Sequence, residues 1–342
     1  MSQDIPSFPH SYIVTFTAPY EVRPRPRARP TPAADELLVT TEVSAISPGS
    51  EMLFYRGEAP QDMPADATIP SLRDKSTDYP LSYGYACVGV VTAQGAEVVE
   101  SWLGRRIFAF HPHASHFTLR PADAQPVPPG IAPEQAALLP HMETAVNLVM
   151  DGAPLIGERV AVMGQGVVGL MTTGLLAHFP LADLLTVDPL PARRALGIQL
   201  GATRAVAPDA YAGEGDFDLV YELSGNPRGL DQAITLAGYA GRVVVGSWYG
   251  SKEVSLNLGG AFHRSRIRLI SSQVSSVAPG LSGRWTKARR FRLVWRMLAE
   301  LDAGALITHR LPVQKAARAY DLLDRRPSET LQVIFEYGKM AG

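Results

Sequence analysis

The sequence predicts an α/β protein of two domains: a compact, largely antiparallel β domain followed by a doubly wound parallel sheet. Three observations predict it. Residues up to about 125 alternate short apolar runs with dense glycine and proline, the texture of short strands and turns. From Pro133 the breakers thin out, and strand-like and helix-like runs alternate through Ile270, as in a parallel sheet with helices on its faces. At the head of that alternation stands Arg159–Asp188, RVAVMGQGVVGLMTTGLLAHFPLADLLTVD. It reads as strand, glycine turn, helix, strand and acid.

In the first part, strands are expected at Tyr12–Phe16, Glu36–Val43, Ala86–Thr92, Arg106–Phe110 and His116–Leu119. The run Arg23-Pro24-Arg25-Pro26-Arg27-Ala28-Arg29-Pro30 reads as a solvated, extended linker between two strands. Glu134–Asp151 carries few breakers and reads as one or two helices. Val160–Met163, Leu184–Val187, Asp218–Leu223 and Arg242–Gly246 read as parallel strands, with helices at Pro191–Leu200 and Pro227–Ala237. After Ser271 the chain is loop-like through Trp285. Ala288–Ala303 then reads as a helix and Leu331–Tyr337 as a final strand. The basic run Arg284–Arg296 reads as a solvated helix.

The glycine turn carries the chemistry. Gly164 permits a tight turn, Gly166 lets a pyrophosphate approach the backbone, and Gly169 lets helix and strand pack closely. Val167 and Val168 open a helix whose free N–H groups and positive dipole end suit phosphates. Asp188 lies where a carboxylate can accept both hydroxyls of a ribose, and it would repel a 2′-phosphate. The expected cofactor is therefore NAD rather than NADP. Arg193 and Arg194 follow closely, able to meet a phosphate, stack on adenine or lie on the helix surface.

Composition excludes several alternatives. A formal net charge of −1 argues against a nucleic-acid or anionic-membrane partner. The single cysteine, Cys87, excludes an intrachain disulfide framework and a four-cysteine zinc site. It also fits a reducing cytoplasm. No signal peptide and no membrane span are expected.

On the motifs Glu36-Leu37-Leu38-Val39 leading into the Val43–Glu51 loop, Gly84–Val91, Gly157–Gly169, and Val187-Asp188 with Leu200-Gly201-Ala202, the chain resembles the medium-chain dehydrogenase/reductase superfamily over nearly its whole length. The resemblance implies a GroES-like catalytic domain from residues 1–132 and 274–342 around a Rossmann domain from 133–273. It also implies a small-molecule substrate and a homodimer or homotetramer. It sets Ser224 in the loop running past the cofactor, with Gly246 and Ser247 at a comparable strand end.

The departures from the family pattern are informative. Zinc-type members place a cysteine where this chain has Ser47 and a histidine where it has Tyr85. At the domain crossover this chain reads Leu139-Pro140-His141. Hydroxyl and phenol are poor zinc ligands at neutral pH, so no catalytic zinc is expected. His111, His113 and His116 lie close together, and His111 and His113 would share one strand face as a metal pair that His141 or Glu143 could join, without a clear carboxylate or cysteine partner. Acid–base work then falls to Ser47, Tyr85, His113 and Glu143, with Glu51 in reserve.

The resulting expectation is zinc-independent, NAD-linked interconversion of a secondary alcohol and a ketone. The Ser-Pro-Gly-Ser-Glu loop is similar to the zinc-lacking branch that contains bacteriochlorophyllide hydroxyethyl dehydrogenases. Two alternatives stay open: a quinone- or enoyl-type reductase using NAD(P)H, and a non-catalytic nucleotide sensor.

Overall fold

The computed structural model describes residues 11–61, 63–211 and 215–338. The chain divides into two compact units, Met1–Leu138 with Gly304–Gly342, and Leu139–Ala303. The sequence resemblance implies a return to the first unit at residue 274. In the structure the return comes after a further helix, because buried Arg290 on that helix bonds Glu143 and Asn147 of the second unit.

The first unit opens with β1 (Ser11–Ala18) and β2 (Glu21–Arg27), paired antiparallel as a two-stranded sheet. The arginine–proline run is thus mostly strand rather than linker. It pairs only with β1, and its prolines alternate (Pro24 opposite Val14, Pro26 opposite Tyr12). Arg23, Arg25 and Arg27 therefore keep a row of N–H groups, while the residues without one share the other edge.

β3 (Leu37–Ala45) follows, and then α1 (Pro48–Arg56) where the sequence suggested a loop. Pro48, Gly49 and Ser50 look like turn residues, yet proline is well suited to a helix first turn. Glu51 through Tyr55 bury the rest of that helix. β4 (Cys87–Gln94), β5 (Arg106–Ala109), β6 (His116–Leu119) and β7 (Gln125–Pro126) complete the N-terminal part, followed by a single helical turn, α2 (Pro133–Ala136).

The second unit runs α3 (Leu139–Gly152), β8 (Arg159–Met163), α4 (Val167–Leu176), β9 (Asp183–Val187), α5 (Pro191–Gln199), β10 (Arg204–Val206), β11 (Phe217–Glu222), α6 (Pro227–Leu236), β12 (Ala237–Val245), β13 (Arg268–Ser271) and α7 (Lys287–Glu300). Its six strands are parallel in the order β10-β9-β8-β11-β12-β13. Alternation sorts the residues of each strand onto two faces. Val160, Val162, Leu184, Leu219, Tyr221 and Val244 join one core with Leu148 of α3 and Leu176 of α4. Ala161, Met163, Leu185, Val187, Val220 and Val243 join another with Leu230, Ala233 and Ile234 of α6. Both faces are covered, as a doubly wound sheet requires.

The chain then returns to the first unit as β14 (Ile307–Pro312), α8 (Ala316–Arg325) and β15 (Gln332–Glu336). β14 and α8 were not expected from sequence. The first unit's seven-stranded sheet has the order β14-β15-β3-β4-β5-β7, with β6 also on β3. Among the described residues no helix is long and apolar enough to cross a membrane.

Candidate functional site

In the second unit the turn between β8 and α4 is built as the glycine spacing predicts. Gly164 has φ +91°, and a Cβ there would lie 2.6 Å from the Leu223 carbonyl oxygen. A Cβ on Gly169 would lie 1.9 Å from the Gly164 oxygen, so strand and helix meet closely there. Gly166 differs from both, since a Cβ on it would meet no protein atom within 4 Å. Gly166 is also the N-cap of α4 and has no side chain to cap it. Val167 is buried and Val168 half-buried behind it. An open backbone, uncapped N–H groups and a helix dipole fit the pyrophosphate of a dinucleotide.

Asp188 follows β9 and is 3 % exposed. Its Oδ2 accepts the Gln165 N–H at 2.8 Å, and its Oδ1 accepts the Leu190 N–H at 2.8 Å. Each oxygen keeps a further acceptor position, so the carboxylate is fixed yet still able to receive hydroxyl protons. Gln165, a residue the sequence reading passed over, ties the turn together. It is fully buried and accepts the Thr173 hydroxyl of α4 at 3.1 Å. Arg194 spends its guanidinium on the Asp188 and Pro189 carbonyls. Arg193 is half-buried, and burial lowers its pKa while the Asp188 charge raises it.

The ends of β11 and β12 are laced by Glu222, also unremarked in the sequence. Ser224 donates its N–H to Glu222 Oε1 at 2.9 Å and its hydroxyl to the same oxygen. Ser247 accepts the Gly225 N–H at 2.9 Å, and Gly246 donates to the Glu222 carbonyl at 3.0 Å. A Cβ on Gly246 would press on Leu148 and Leu223, each 2.6 Å away. One signal could have found Glu222: like Asp188, it is an acid ending an apolar strand.

In the first unit a polar cluster gathers around α1. Glu51 is fully buried. Its Oε1 accepts the Ser47 N–H at 2.7 Å; its Oε2 meets His113 Nε2 at 2.9 Å and accepts the Tyr320 hydroxyl at 2.5 Å. His113 Nδ1 meets Ser44 Oγ at 2.7 Å, and Ser44 meets the Tyr337 hydroxyl at 2.9 Å. Tyr85 donates to Ser47 Oγ at 2.5 Å and lies 3.0 Å from Ser50 Oγ. Burial pushes the Tyr85 phenol up to about 12 against the pull of those two serines. The structure thus brings Ser47, Tyr85 and His113 together, joined by Glu51. Glu143 lies in the second unit instead, bound to Arg290 at 2.6 Å.

The donors around Ser47 do not fit zinc. They are hydroxyls and a phenol bonded to one another, and the one carboxylate is spent on an N–H, an imidazole and a tyrosine. His111 stacks on Phe117 at 4.3 Å, and His116 Nδ1 lies 3.1 Å from Ser115 Oγ. Among the described residues no three histidine, cysteine, aspartate or glutamate side chains form a metal-holding group.

Comparison with known proteins extends this picture. Residues 167–292 match the family described as zinc-binding dehydrogenase. The L-threonine 3-dehydrogenase of Stenotrophomonas maltophilia (strain K279a) is 22 % identical over 334 residues, covering 86 % of this chain and 91 % of that protein. Among solved structures, an alcohol dehydrogenase from E. coli CFT073, described as short chain and complexed with NADH, superposes with a TM-score of 0.77. It is 21 % identical, covering 96 % of this chain and 99 % of the other. Over residues 167–292 the chain is thus similar to zinc-binding dehydrogenases, and it shares its overall fold with dehydrogenase structures. A structure described as a zinc-binding dehydrogenase of Sinorhizobium meliloti 1021 bound to NADP also superposes, with a TM-score of 0.75. Its identity is 19 %, with coverage of 96 % and 99 %.

Proposed function

We propose that this chain is a nicotinamide-dinucleotide oxidoreductase that interconverts a secondary alcohol and a ketone, using NAD(H) in preference to NADP(H) and no zinc. The observation that carries the reading is the open, uncapped turn at Gly166 beside the fixed carboxylate of Asp188. Gly164, Gly166, Val167, Val168 and Gly169 would hold the pyrophosphate, and Asp188 the adenosine ribose. Arg193, Ser224, Gly246 and Ser247 would line the remainder. When bound, the dinucleotide supplies or accepts the hydride.

The chain's own residues handle the proton. With its phenol pushed up to about 12, Tyr85 stays protonated at neutral pH. It therefore acts as hydrogen-bond donor and acid to the substrate oxygen: as the ketone carbon receives hydride, the oxygen takes the phenol proton and solvent restores it, and alcohol oxidation runs the same steps in reverse. Ser47 shares that role, because its hydroxyl already pairs with Tyr85. His113 has both nitrogens occupied by Glu51 and Ser44, so its role is to position the cluster. Glu143 is assigned to structure through Arg290. A second reading, hydride delivery to a conjugated enone, draws on the same donor, since an enolate oxygen also needs only a hydrogen bond.

Titration with NADH and NADPH, followed by turnover on L-threonine, short diols, other secondary alcohols and enones, tests the reading. NADH should bind at least about tenfold more tightly than NADPH, and Asp188→Ser should erode that preference. Equal affinity for the two would refute the NAD assignment. Stoichiometric zinc whose removal abolishes turnover would refute zinc independence.

A further inference from the structure

The glycine turn accounts for the phosphates and Asp188 for one ribose, which leaves a buried carboxylate in the second half of the parallel sheet without a role. Glu222 ends β11 and is fully buried. Its Oε1 takes both donors of Ser224, and its Oε2 accepts the Tyr249 hydroxyl at 2.5 Å. Glu143 and Glu158 of the same unit each hold an arginine. Glu222 makes no ion pair with any described lysine, arginine or histidine. Three donors stand in for water around it, but among the described residues no cation pairs with its charge. A carboxylate buried without a cation is costly, and incoming positive charge at such a place is favoured.

The topology says what that charge would be. The strand order turns back between β8 and β11, and dinucleotides lie outside the carboxyl ends of the strands at such a switch point. The Glu222 loop abuts the glycine turn, with Ser224 Cα 2.6 Å from a Cβ built on Gly164. Asp188, in the first half of the sheet, is suited to the adenosine ribose. The second half is then left for the nicotinamide mononucleotide.

Resting on the reading that a nicotinamide dinucleotide binds here, we propose that Glu222 sets the preference of this site for the redox state of its cofactor. Through Ser224 and Tyr249 it holds the wall of the nicotinamide half. Its negative charge favours the oxidised ring, which is cationic, over the reduced ring, which is neutral. Burial and then the Glu222 charge raise the Tyr249 phenol, so that hydroxyl remains a donor.

The test uses Glu222→Gln in the full chain, with affinities for NAD+ and NADH measured separately by calorimetry. The amide oxygen can still accept from Ser224, and the amide N–H can donate to the Tyr249 oxygen, so the lacing survives while the charge is lost. NAD+ affinity should fall on the order of tenfold and NADH affinity by less than about twofold, in line with one charge at partly screened range. Equal loss for both forms, or no loss for either, overturns the proposal. Tyr249→Phe guards against misfolding of the first variant, since it removes a donor but keeps the carboxylate. Its NAD+/NADH affinity ratio should equal or exceed that of the native protein, and a fall in that ratio overturns the proposal. A native protein that binds neither form overturns the dinucleotide reading itself, and this inference with it.

Discussion

Arg290 lies on a helix whose sequence suggests a solvated basic face, yet it is fully buried. Its guanidinium reaches Glu143 at 2.6 and 3.2 Å, Asn147 at 2.6 Å, and the carbonyls of Val274 and Ser276 at 2.5 and 3.0 Å. Arg290→Met keeps most of the volume but leaves Glu143, itself 4 % exposed, without its cation. Breaking a buried pair from one side costs about 3–5 kcal/mol, which in a unit of this size lowers Tm by roughly 6–20 °C.

The deficit should depend on pH. Burial pushes the Glu143 carboxyl up, and Arg290 pulls part of that back. Without Arg290 the folded-state value rises further above the unfolded one. Such a group favours folding at acid pH and loses that contribution as pH rises through the folded value. The variant should therefore be closer to the native protein near about pH 5 than near about pH 8. Replacing both partners, with Glu143→Leu added, should restore at least about 2 kcal/mol, because no charge is then stranded. Urea unfolding followed by circular dichroism reads all three proteins. If Arg290→Met lies within about 1 kcal/mol of native, or if the double variant is no better than the single one, the ion-pair argument is wrong.

Three further outcomes follow from the geometry. Gly166→Val should melt like the native protein yet bind NADH at least about tenfold more weakly. Gly169→Val should unfold early, because its Cβ would strike the Gly164 carbonyl; matching melting curves for the two would contradict the different roles assigned to them. Burial drives both His111 and His116 down to about 4. The stability they lend is complete above an unfolded value of about 6.5 and lost as pH falls through about 4. His111→Phe, which keeps a ring on Phe117, should flatten that acid loss in urea titrations. Tyr85→Phe should lower kcat roughly 10²-fold with a smaller change in KM, and unchanged turnover would remove Tyr85 from the chemistry.

The sequence makes some of this protein legible and hides the rest for physical reasons. Local signals suffice for the β8 turn and α4, because the positive φ at Gly164 and the close packing at Gly169 each demand glycine. They also suffice for parallel strands buried on both faces, which read as unbroken apolar runs. The arginine–proline run misleads because an edge strand with prolines on its free side has the composition of a linker. The start of α1 misleads because proline and glycine there serve a helix N-terminus rather than a turn. The cluster around Glu51 is invisible locally: His113 lies 62 residues from Glu51 and Tyr320 lies 269 away. Arg290 shows the same limit, since a charge that finds two carbonyls, an amide and a carboxylate can be buried where composition suggests water.

The first unit is written in two separated pieces of chain. β15 slots between β14 and β3, and Tyr320 and Tyr337 close the bonds to Glu51 and Ser44 from that second piece. During synthesis the second unit, contiguous from Leu139 to Ala303, has all six strands of its sheet before any of this emerges, and domains fold as they appear. The proposed nucleotide cradle can therefore mature early, while β3 waits with an open edge for its late partner. A chain cut short after Ala303 would keep the proposed cofactor cradle but lack the Tyr320 and Tyr337 hydroxyls that bond Glu51 and Ser44. The hydrogen bonding around Glu51 is thereby completed only by the later-made piece of the unit.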